Sequence, residues 1–342
     1  MGVEAGQFVS IVMPALNEER YIEAAISSVI PVSDDLHYEL LVLDGGSTDR
    51  TRAVVAELAA TNPRIRLIPN EKRLQSAAVN MAAKLADPRA RYLVRADCHL
   101  RYPERFVEGC VSVLSGKQVA SVVVPMRTEG TSCMQRAIAA AQNSRLGNGG
   151  AAHRLIGWSG FVDHGHHAAF DRRTFLELGG YDESFSHNED AEFDTRLIGS
   201  GRRIYMNGDI AVTYFPRTDL VSLARQYFRH GRGRASTLMK HRMFPRMRQV
   251  LPVAVVLAIA LSAGLAIIEP WFLLLPLLYA AVCLLWGASL AAREQDSCLA
   301  FSGLAAIVMH LSWGTGFLAR LAGWRPSQPS AGGRAAAGST AP

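Results

Sequence analysis

Arg91-Tyr92-Leu93-Val94-Arg95-Ala96-Asp97-Cys98-His99 is an apolar, β-favouring run that stops abruptly at an acid and an imidazole two residues apart. In extended backbone, side chains at i and i+2 leave the same face, so Asp97 and His99 can converge on one cation. A strand ending in two metal-competent groups points to a phosphate site. The same residues are also ordinary loop chemistry, with Asp97 accepting backbone hydrogen bonds and His99 merely polar. The rest of the chain has to separate the two readings.

Upstream, Phe8 to Ala15 reads as a buried strand, and Asn17-Glu18-Glu19 opens a helix whose apolar positions Ile22, Ala25, Ile26 and Val29 recur at helical spacing. Glu39 to Leu43 is the next strand. It ends in Asp44-Gly45-Gly46-Ser47-Thr48-Asp49, where glycine permits a tight turn and the polar side chains can cap a helix from Arg50 to Ala60. A strand from Arg64 to Ile68 and a helix from Ser76 to Leu85 lead into the strand Tyr92 to Ala96. Strands alternating with helices predict right-handed βαβ units and an α/β fold with a mostly parallel sheet. Ligands of such sheets gather beyond the carboxyl ends of the strands, so the loops 14–18, 44–49 and 97–99 are expected to open on one crevice.

Downstream, a helix beyond Pro103 and a strand from Ala120 to Pro125 continue the layer. Gly147 to His167 mixes glycines with Trp158, Asp163, His164, His166 and His167, a poor core and a substrate-facing loop by composition. A helix from Asp171 to Leu178 closes at Gly179-Gly180. His187-Asn188-Glu189-Asp190-Ala191-Glu192 then starts a helix ending near Gly199.

The composition changes near residue 250. Residues 220–249 hold eight Lys or Arg and no Asp or Glu, and three nearly uncharged runs follow: Val250 to Ile268, Trp271 to Leu290 and Cys298 to Leu318. Each is long enough as a helix to cross a bilayer core. Glu269-Pro270 forces the first two into a hairpin, spanning twice or re-entrant. A basic flank before the first run fits the cytoplasmic side of a membrane and attraction to anionic lipid better than a nucleic-acid groove, and no nucleic-acid partner is expected. Three spans would put the tail, with Arg320, Arg325 and Arg334, on the far side, where that rule fits less well. Residues after Pro326 read as disordered. The organisation expected is therefore a catalytic domain at 1–217, a basic interfacial segment at 218–249, a membrane domain at 250–322 and a disordered tail at 323–342. Five cysteines without a C-x-x-C pair argue against a disulfide framework or a structural zinc. No basic-then-apolar leader precedes the first strand, so no signal peptide is expected.

Asp44-Gly-Gly-Ser-Thr-Asp49, Asp97-Cys-His99, Gly179-Gly-Tyr-Asp-Glu183, Glu189-Asp190 and Gln226-Tyr-Phe-Arg229, in that order, resemble the inverting family 2 glycosyltransferases. Within them the chain looks most like the glucosyltransferases of succinoglycan and exopolysaccharide biosynthesis. The resemblance implies a GT-A nucleotide-sugar fold and C-terminal transmembrane helices. It implies a UDP-sugar donor, UDP-glucose, bound by Pro14, Asn17, Glu18, Asp44, Ser47 and Asp97. It further implies a divalent cation, Mn2+ or Mg2+, on Asp97 and His99, and Asp190 as catalytic base. A lipid-linked oligosaccharide acceptor or its diphosphate would meet Trp158, Asp163, His167, Glu189, Gln226, Arg229 and Arg232. The inner membrane, with the catalytic domain in the cytoplasm, is the implied location, and other exopolysaccharide assembly enzymes are the implied partners. His99 stands where the family has a second acid; imidazole is a softer ligand, so manganese is expected to serve at least as well as magnesium.

Sugar transfer needs a leaving diphosphate whose growing charge is neutralised and a base for the acceptor hydroxyl. Acids in a first helical turn, such as Glu189 and Asp190, also occur simply to complement the helix dipole, and Asp-Gly-Gly is common turn chemistry. The chain lacks a G-x-G-x-x-G fingerprint and a G-x-x-x-x-G-K-S/T loop, which weighs against dehydrogenases and ATPases. Two other readings stay open: a nucleotidyltransferase on the same fold, and an inactive membrane scaffold or transport component.

Overall fold

The computed structural model describes residues 6–150, 156–185 and 187–323. Its first half runs β1 (Gln7–Ala15), α1 (Ile22–Val29), β2 (Leu36–Asp44), α2 (Thr51–Thr61), β3 (Ile65–Pro69), α3 (Gln75–Leu85), β4 (Tyr92–Arg95), β5 (Leu100–Arg101), α4 (Phe106–Lys117), β6 (Ser121–Val124) and β7 (Met126–Thr128). After these come α5 (Cys133–Asn143), α6 (Arg145–Asn148), β8 (Gly160–Val162), β9 (His166–Asp171), α7 (Arg172–Glu177), α8 (Glu189–Gly199), β10 (Ile204–Met206) and β11 (Val212–Tyr214). Four long helices close the described chain: α9 (Leu220–His241), α10 (Met247–Leu265), α11 (Leu274–Glu294) and α12 (Ser302–Leu321).

An eight-stranded mixed sheet in the order β3-β2-β1-β4-β9-β6-β10-β8 forms the centre, and β5, β11 and β7 make a small second sheet. Strand β1 pairs in parallel with β2 on one side and β4 on the other. The crossovers therefore diverge between β1 and β4, the place where open α/β sheets leave a crevice. Strand β9 lies antiparallel between β4 and β6. Val9, Ile11 and Met13 of β1 enter one core and Val12 the other, as a period-two strand buried on both faces requires. Each such fully buried aliphatic contributes about 1.5–3 kcal/mol, so the strands beneath the crevice are its rigid floor.

Beyond the sheet, α9 lies across the catalytic domain and α12 lies along α9. A Cβ added at Gly231 of α9 would meet the Trp313 carbonyl oxygen at 2.0 Å, and one at Gly316 of α12 would meet that of Phe228 at 2.0 Å. Glycine at these two positions is what lets the backbones touch. Helices α10 and α11 form the hairpin expected from Glu269-Pro270. Met247–Leu265, Pro270–Glu294 and Ser297–Leu321 are long and apolar enough to cross a membrane.

Several expectations need correction. Cys133 and Cys298 form a disulfide, with Cα atoms 5.1 Å apart across 165 positions of sequence. Spacing does not reveal it, because it arises from α5 packing on the connection between α11 and α12, where Arg136 also pairs with Asp296. The helix expected from Asn17 starts only at Ile22; Asn17 takes a left-handed φ of 57° and serves a turn instead. The end of the glycine-rich stretch is sheet, since β8 and β9 take up Gly160–Val162 and His166–Asp171. The tail from residue 324 lies outside the described residues.

Candidate active site

A crevice of about 190 Å³ opens at the carboxyl ends of β1, β2 and β4, lined among others by Pro14, Glu18, Gly45, Gln75, Asp97 and His99. Its walls are two loops stitched together. The Asn17 N–H donates to Ser47 Oγ at 2.9 Å, and the Thr48 N–H donates to Asn17 Oδ1 at 2.8 Å. Asp44 is buried, and its carboxylate accepts from the Gly46 and Ser47 N–H groups at 3.0 and 3.1 Å. The turn reading of Asp44 is thus the one its geometry carries, and the lining passes to its neighbours Leu43 and Gly45. Asn17 and Ser47 likewise shape the wall through backbone contacts.

Asp97 sits at the floor, accepting from Gln75 Nε2 at 2.8 Å and from Arg95 Nε at 3.3 Å, with His166 Nε2 at 3.9 Å from its other oxygen. Burial alone would raise its pKa. Arg95, His166 and His99 more than offset that and hold the carboxyl down at about 2. His99 is half-exposed, with Nδ1 3.9 Å from Glu18 Oε1. Among the described residues no three His, Cys, Asp or Glu side chains cluster as a cation site. Asp97 with His99 is therefore an open partial set that suits a cation sharing its coordination with diphosphate oxygens.

Arg95 joins the two sides of the site. It is buried at the last position of β4, 3.3 Å from Asp97 and 3.8 Å from Glu189, and donates to the Tyr181 hydroxyl at 3.2 Å. Tyr181 is delivered by Gly179-Gly180. Gly180 has φ +69°, and a Cβ there would lie 2.3 Å from Asn80 Oδ1, the atom that accepts the Tyr181 N–H at 2.8 Å. The Tyr181 hydroxyl in turn lies 2.6 Å from His167 Nδ1, and His167 Nε2 lies 2.7 Å from Asp194. Asp194 also takes His164 Nδ1 at 2.7 Å.

The first turn of α8 brings in Glu189 and Asp190. Burial and repulsion by Asp190 raise the Glu189 carboxyl, despite Arg95 beside it. For Asp190 burial also acts upward, but His164, His167, Arg95 and the Ala191 N–H outweigh it and keep the carboxyl well below the usual carboxylate range. Arg95, 3.3 Å from Asp97 and 3.8 Å from Glu189, ties the strand end to the acidic first turn of α8, in which Asp190 follows Glu189.

The remaining expected residues divide. His167 is fully buried with both ring nitrogens used inside the fold, so it orients other groups and does not reach an acceptor, which corrects that expectation. Glu189 turns inward to Arg95. Trp158 stays exposed, its ring folded over Gly160. Asp163 pairs with Arg246. Gln226 donates to the Tyr214 hydroxyl at 3.0 Å, and Tyr214 stacks edge-on with His99. Arg229 and Arg232 act electrostatically on His187, just before the acidic turn. Sequence reasoning missed Arg95, Tyr181 and Asp194 as site members. Asp194 was within reach, since it lies four residues after Asp190 and so on the same helix face.

The profile of Glycosyl transferase family 2 matches residues 10–179. Over 316 residues the chain is 45% identical to the Succinoglycan biosynthesis protein ExoA of Rhizobium meliloti (strain 1021), covering 92% of this chain and 95% of that protein. Over 82 residues it is 44% identical to the UDP-Glc:alpha-D-GlcNAc-diphosphoundecaprenol beta-1,3-glucosyltransferase WfgD of Escherichia coli, 24% of this chain and 31% of that one. Among solved structures, the mannosyltransferase PcManGT from Pyrobaculum calidifontis in complex with GDP-Man and Mn2+ aligns with a TM-score of 0.57 at 19% identity, over 92% of this chain and 86% of that one, a likeness of fold. The mixed sheet and its crevice thus define a glycosyltransferase of GT-A fold. Its similarity over nearly the whole length of the rhizobial protein narrows this further. The chain belongs to glycosyl transferase family 2.

Proposed function

We propose that this glycosyltransferase moves glucose from UDP-glucose to a polyprenyl-diphosphate-linked oligosaccharide during exopolysaccharide assembly, with inversion to a β linkage. The observation that carries the reading is the bridge made by buried Arg95 between Asp97 at 3.3 Å and Glu189 at 3.8 Å, which joins the strand end to the helix turn that carries Asp190. Asp97 lies where a nucleotide diphosphate would enter, Asp190 where an acceptor hydroxyl would approach. The names of the rhizobial and Escherichia coli relatives support the pathway, the donor and the diphosphate-linked lipid.

Asp190 takes the proton of the acceptor hydroxyl as that oxygen attacks the anomeric carbon from the face opposite the leaving diphosphate. Its depressed pKa keeps it ionised at every physiological pH, which makes it always available and intrinsically weak as a base. Its rate contribution then comes chiefly from position. Arg95 and Glu189 set that position. Asp97 and His99 would hold a divalent cation, Mn2+ or Mg2+, which when bound neutralises charge on the diphosphate. The catalytic domain faces the cytoplasm at the inner membrane, where a bilayer-confined acceptor meets a tethered site at high effective concentration. Other assembly enzymes would supply and consume the lipid-linked intermediate.

Membranes carrying the enzyme, given radiolabelled UDP-glucose, are expected to place label in a butanol-extractable lipid fraction. Label that stays in the aqueous phase, or appears in lipid equally with Asp190→Asn, overturns the reading.

A further inference from the structure

A second cavity, about 420 Å³, is lined by Gly150, Phe161, Asp163, His164, Arg246 and Arg248, and its His164 is held by Asp194 of α8 at 2.7 Å. Arg234 of α9 follows Gly233, where a Cβ would meet Asn188 Cβ and the His187 carbonyl oxygen at 2.8 Å, so α9 passes directly against the turn that leads into Asp190. Burial pushes the Arg234 guanidinium down from its ordinary pKa; Asp190 and Asp194 pull it up, while Arg248 and Arg246 repel it. Arg234 is thus within electrostatic reach of both acids and of the two arginines that line the cavity. Arg246 is paired with Asp163. Neither Arg234 nor Arg248 makes a hydrogen bond or an ion pair among the described residues. Two partly buried guanidiniums without an anion, beside a cavity, form a receptor for one.

The location names the kind of anion. Phe244, in the turn between α9 and α10, is 93% exposed and Met247, which opens α10, is 83% exposed, and apolar side chains Leu251, Leu257 and Leu261 follow along α10. Such a turn belongs in an apolar phase, which puts the arginines flanking it at headgroup level. We infer that Arg234, Arg246 and Arg248 bind the diphosphate of the prenyl-linked acceptor, with the prenyl chain running along α10 and the attached sugar reaching past His164 to Asp190. Arg229 and Arg232, which the sequence favoured for this role, lie earlier on α9 near His187.

The inference rests on the proposed lipid acceptor, and the test separates the two. The full chain in detergent, saturated with UDP to fill the donor crevice, is titrated with farnesyl diphosphate. Arg234→Ala and Arg248→Ala are each expected to weaken binding about 10-fold or more, with Arg234→Lys weakened less and UDP affinity unchanged. Farnesol should fail to compete, and inorganic pyrophosphate should bind more weakly than the prenyl compound yet respond to the same substitutions. Unchanged farnesyl diphosphate affinity in both alanine variants, equal competition by farnesol, or parallel loss of UDP binding overturns the site. If lipid is labelled by the enzyme but the arginine variants bind the probe normally, the site fails and the functional reading stands. Arginine-dependent probe binding without any lipid labelling sinks the functional reading and leaves the site.

A different observation concerns α12. While Gly303 and Gly314 also pack it against α11 and α10, it is tied to the catalytic side at three places: the connection before it by Cys133–Cys298 and Arg136–Asp296, its middle by His310 Nε2 2.8 Å from the Leu146 carbonyl of α6, and its end by Arg320 donating to Ser236 of α9 at 2.8 Å. Helix α9 carries Arg225, Arg229, Arg232, Arg234 and Lys240 and does not enter hydrocarbon. The large exposed apolar side chains concentrate instead on the hairpin, at Leu261, Ile267, Trp271, Leu278 and Leu285. The geometry points to a bilayer anchor made of α10 and α11 alone, with α12 lying at the interface and its end at Leu321 on the same side as the catalytic domain. Membrane-impermeant maleimide labelling of Leu321→Cys and Glu57→Cys, each measured against the unsubstituted chain, is expected to report the same side of sealed vesicles. Labelling from opposite sides overturns this topology.

Discussion

The donor side and the acceptor side of the crevice are held by different means. On the donor side, side chains of two neighbouring loops close on backbone groups, as Ser47 does on the Asn17 N–H, Asn17 on the Thr48 N–H and Thr51 on the Glu18 N–H. Each is a neutral bond that can be lost singly. On the acceptor side, buried charges hold one another in a chain running from Asp194 through His167 and Tyr181 to Arg95 and Glu189, with Arg95 reaching on to Asp97 at the floor of the donor crevice. Removing one member there strands another in low dielectric. The donor wall is therefore a redundant scaffold, whereas the acceptor wall is a coupled device.

Substitutions can break that contrast. Asp190→Asn is expected to lower kcat by roughly 10²–10⁴-fold, with UDP affinity and thermal stability near wild type; substantial turnover would mean the proton goes elsewhere. Asp194→Ala, which leaves His164 and His167 facing an empty acceptor site, is expected to cost about 3–5 kcal/mol of stability, read from chemical unfolding. A cost like that of a surface residue would show the acceptor side to be no more coupled than the donor side. Asp97→Ala should abolish the dependence of UDP binding on manganese, and an unchanged metal titration defeats the assignment of the cation to this strand end. Ser47→Ala removes one backbone partner and should cost only about 1 kcal/mol. A loss as large as that of Asp194→Ala would erase the contrast altogether.

A smaller effect tests the charges beside the acidic turn. Burial, with His230, Arg229, Arg232 and Arg217 nearby, pushes His187 down to about 4. The unfolded chain takes up this proton near pH 6.5 and the folded chain only near 4, so the folded state binds fewer protons in between. Its stability is thus full above about pH 6.5 and declines as pH falls toward 4. The melting temperature of His187→Gln should fall less over that interval than that of wild type; identical acid slopes would show that His187 is not held neutral.

Much of this was legible beforehand. The strand and helix periods, the glycine turns at 44–46 and 179–180 and the hydrophobic runs are all local signals, and each maps to an element of the fold. That the loops 14–18, 44–49 and 97–99 share a crevice followed from the strand and helix alternation, and Pro14, Glu18, Gly45, Asp97 and His99 line it together. Site membership was less legible. Asp44, expected as a nucleotide contact, also accepts the Gly46 and Ser47 N–H groups, a turn role that an Asp before Gly-Gly takes from its own backbone. His167 and His164 looked alike, yet one is sealed in the core and the other lines a cavity.

The sequence by itself determined the α/β layer, the family motifs and the basic approach to an apolar end, since period, turn chemistry and charge are properties of neighbouring residues. Only the tertiary structure decided which acids share a space, that Cys133 meets Cys298, and that α12 lies against α9. Those depend on contacts between residues far apart in the chain, where close backbone approach at Gly231 and Gly316 and the pairing of buried charges select one arrangement among many that the same local pattern allows.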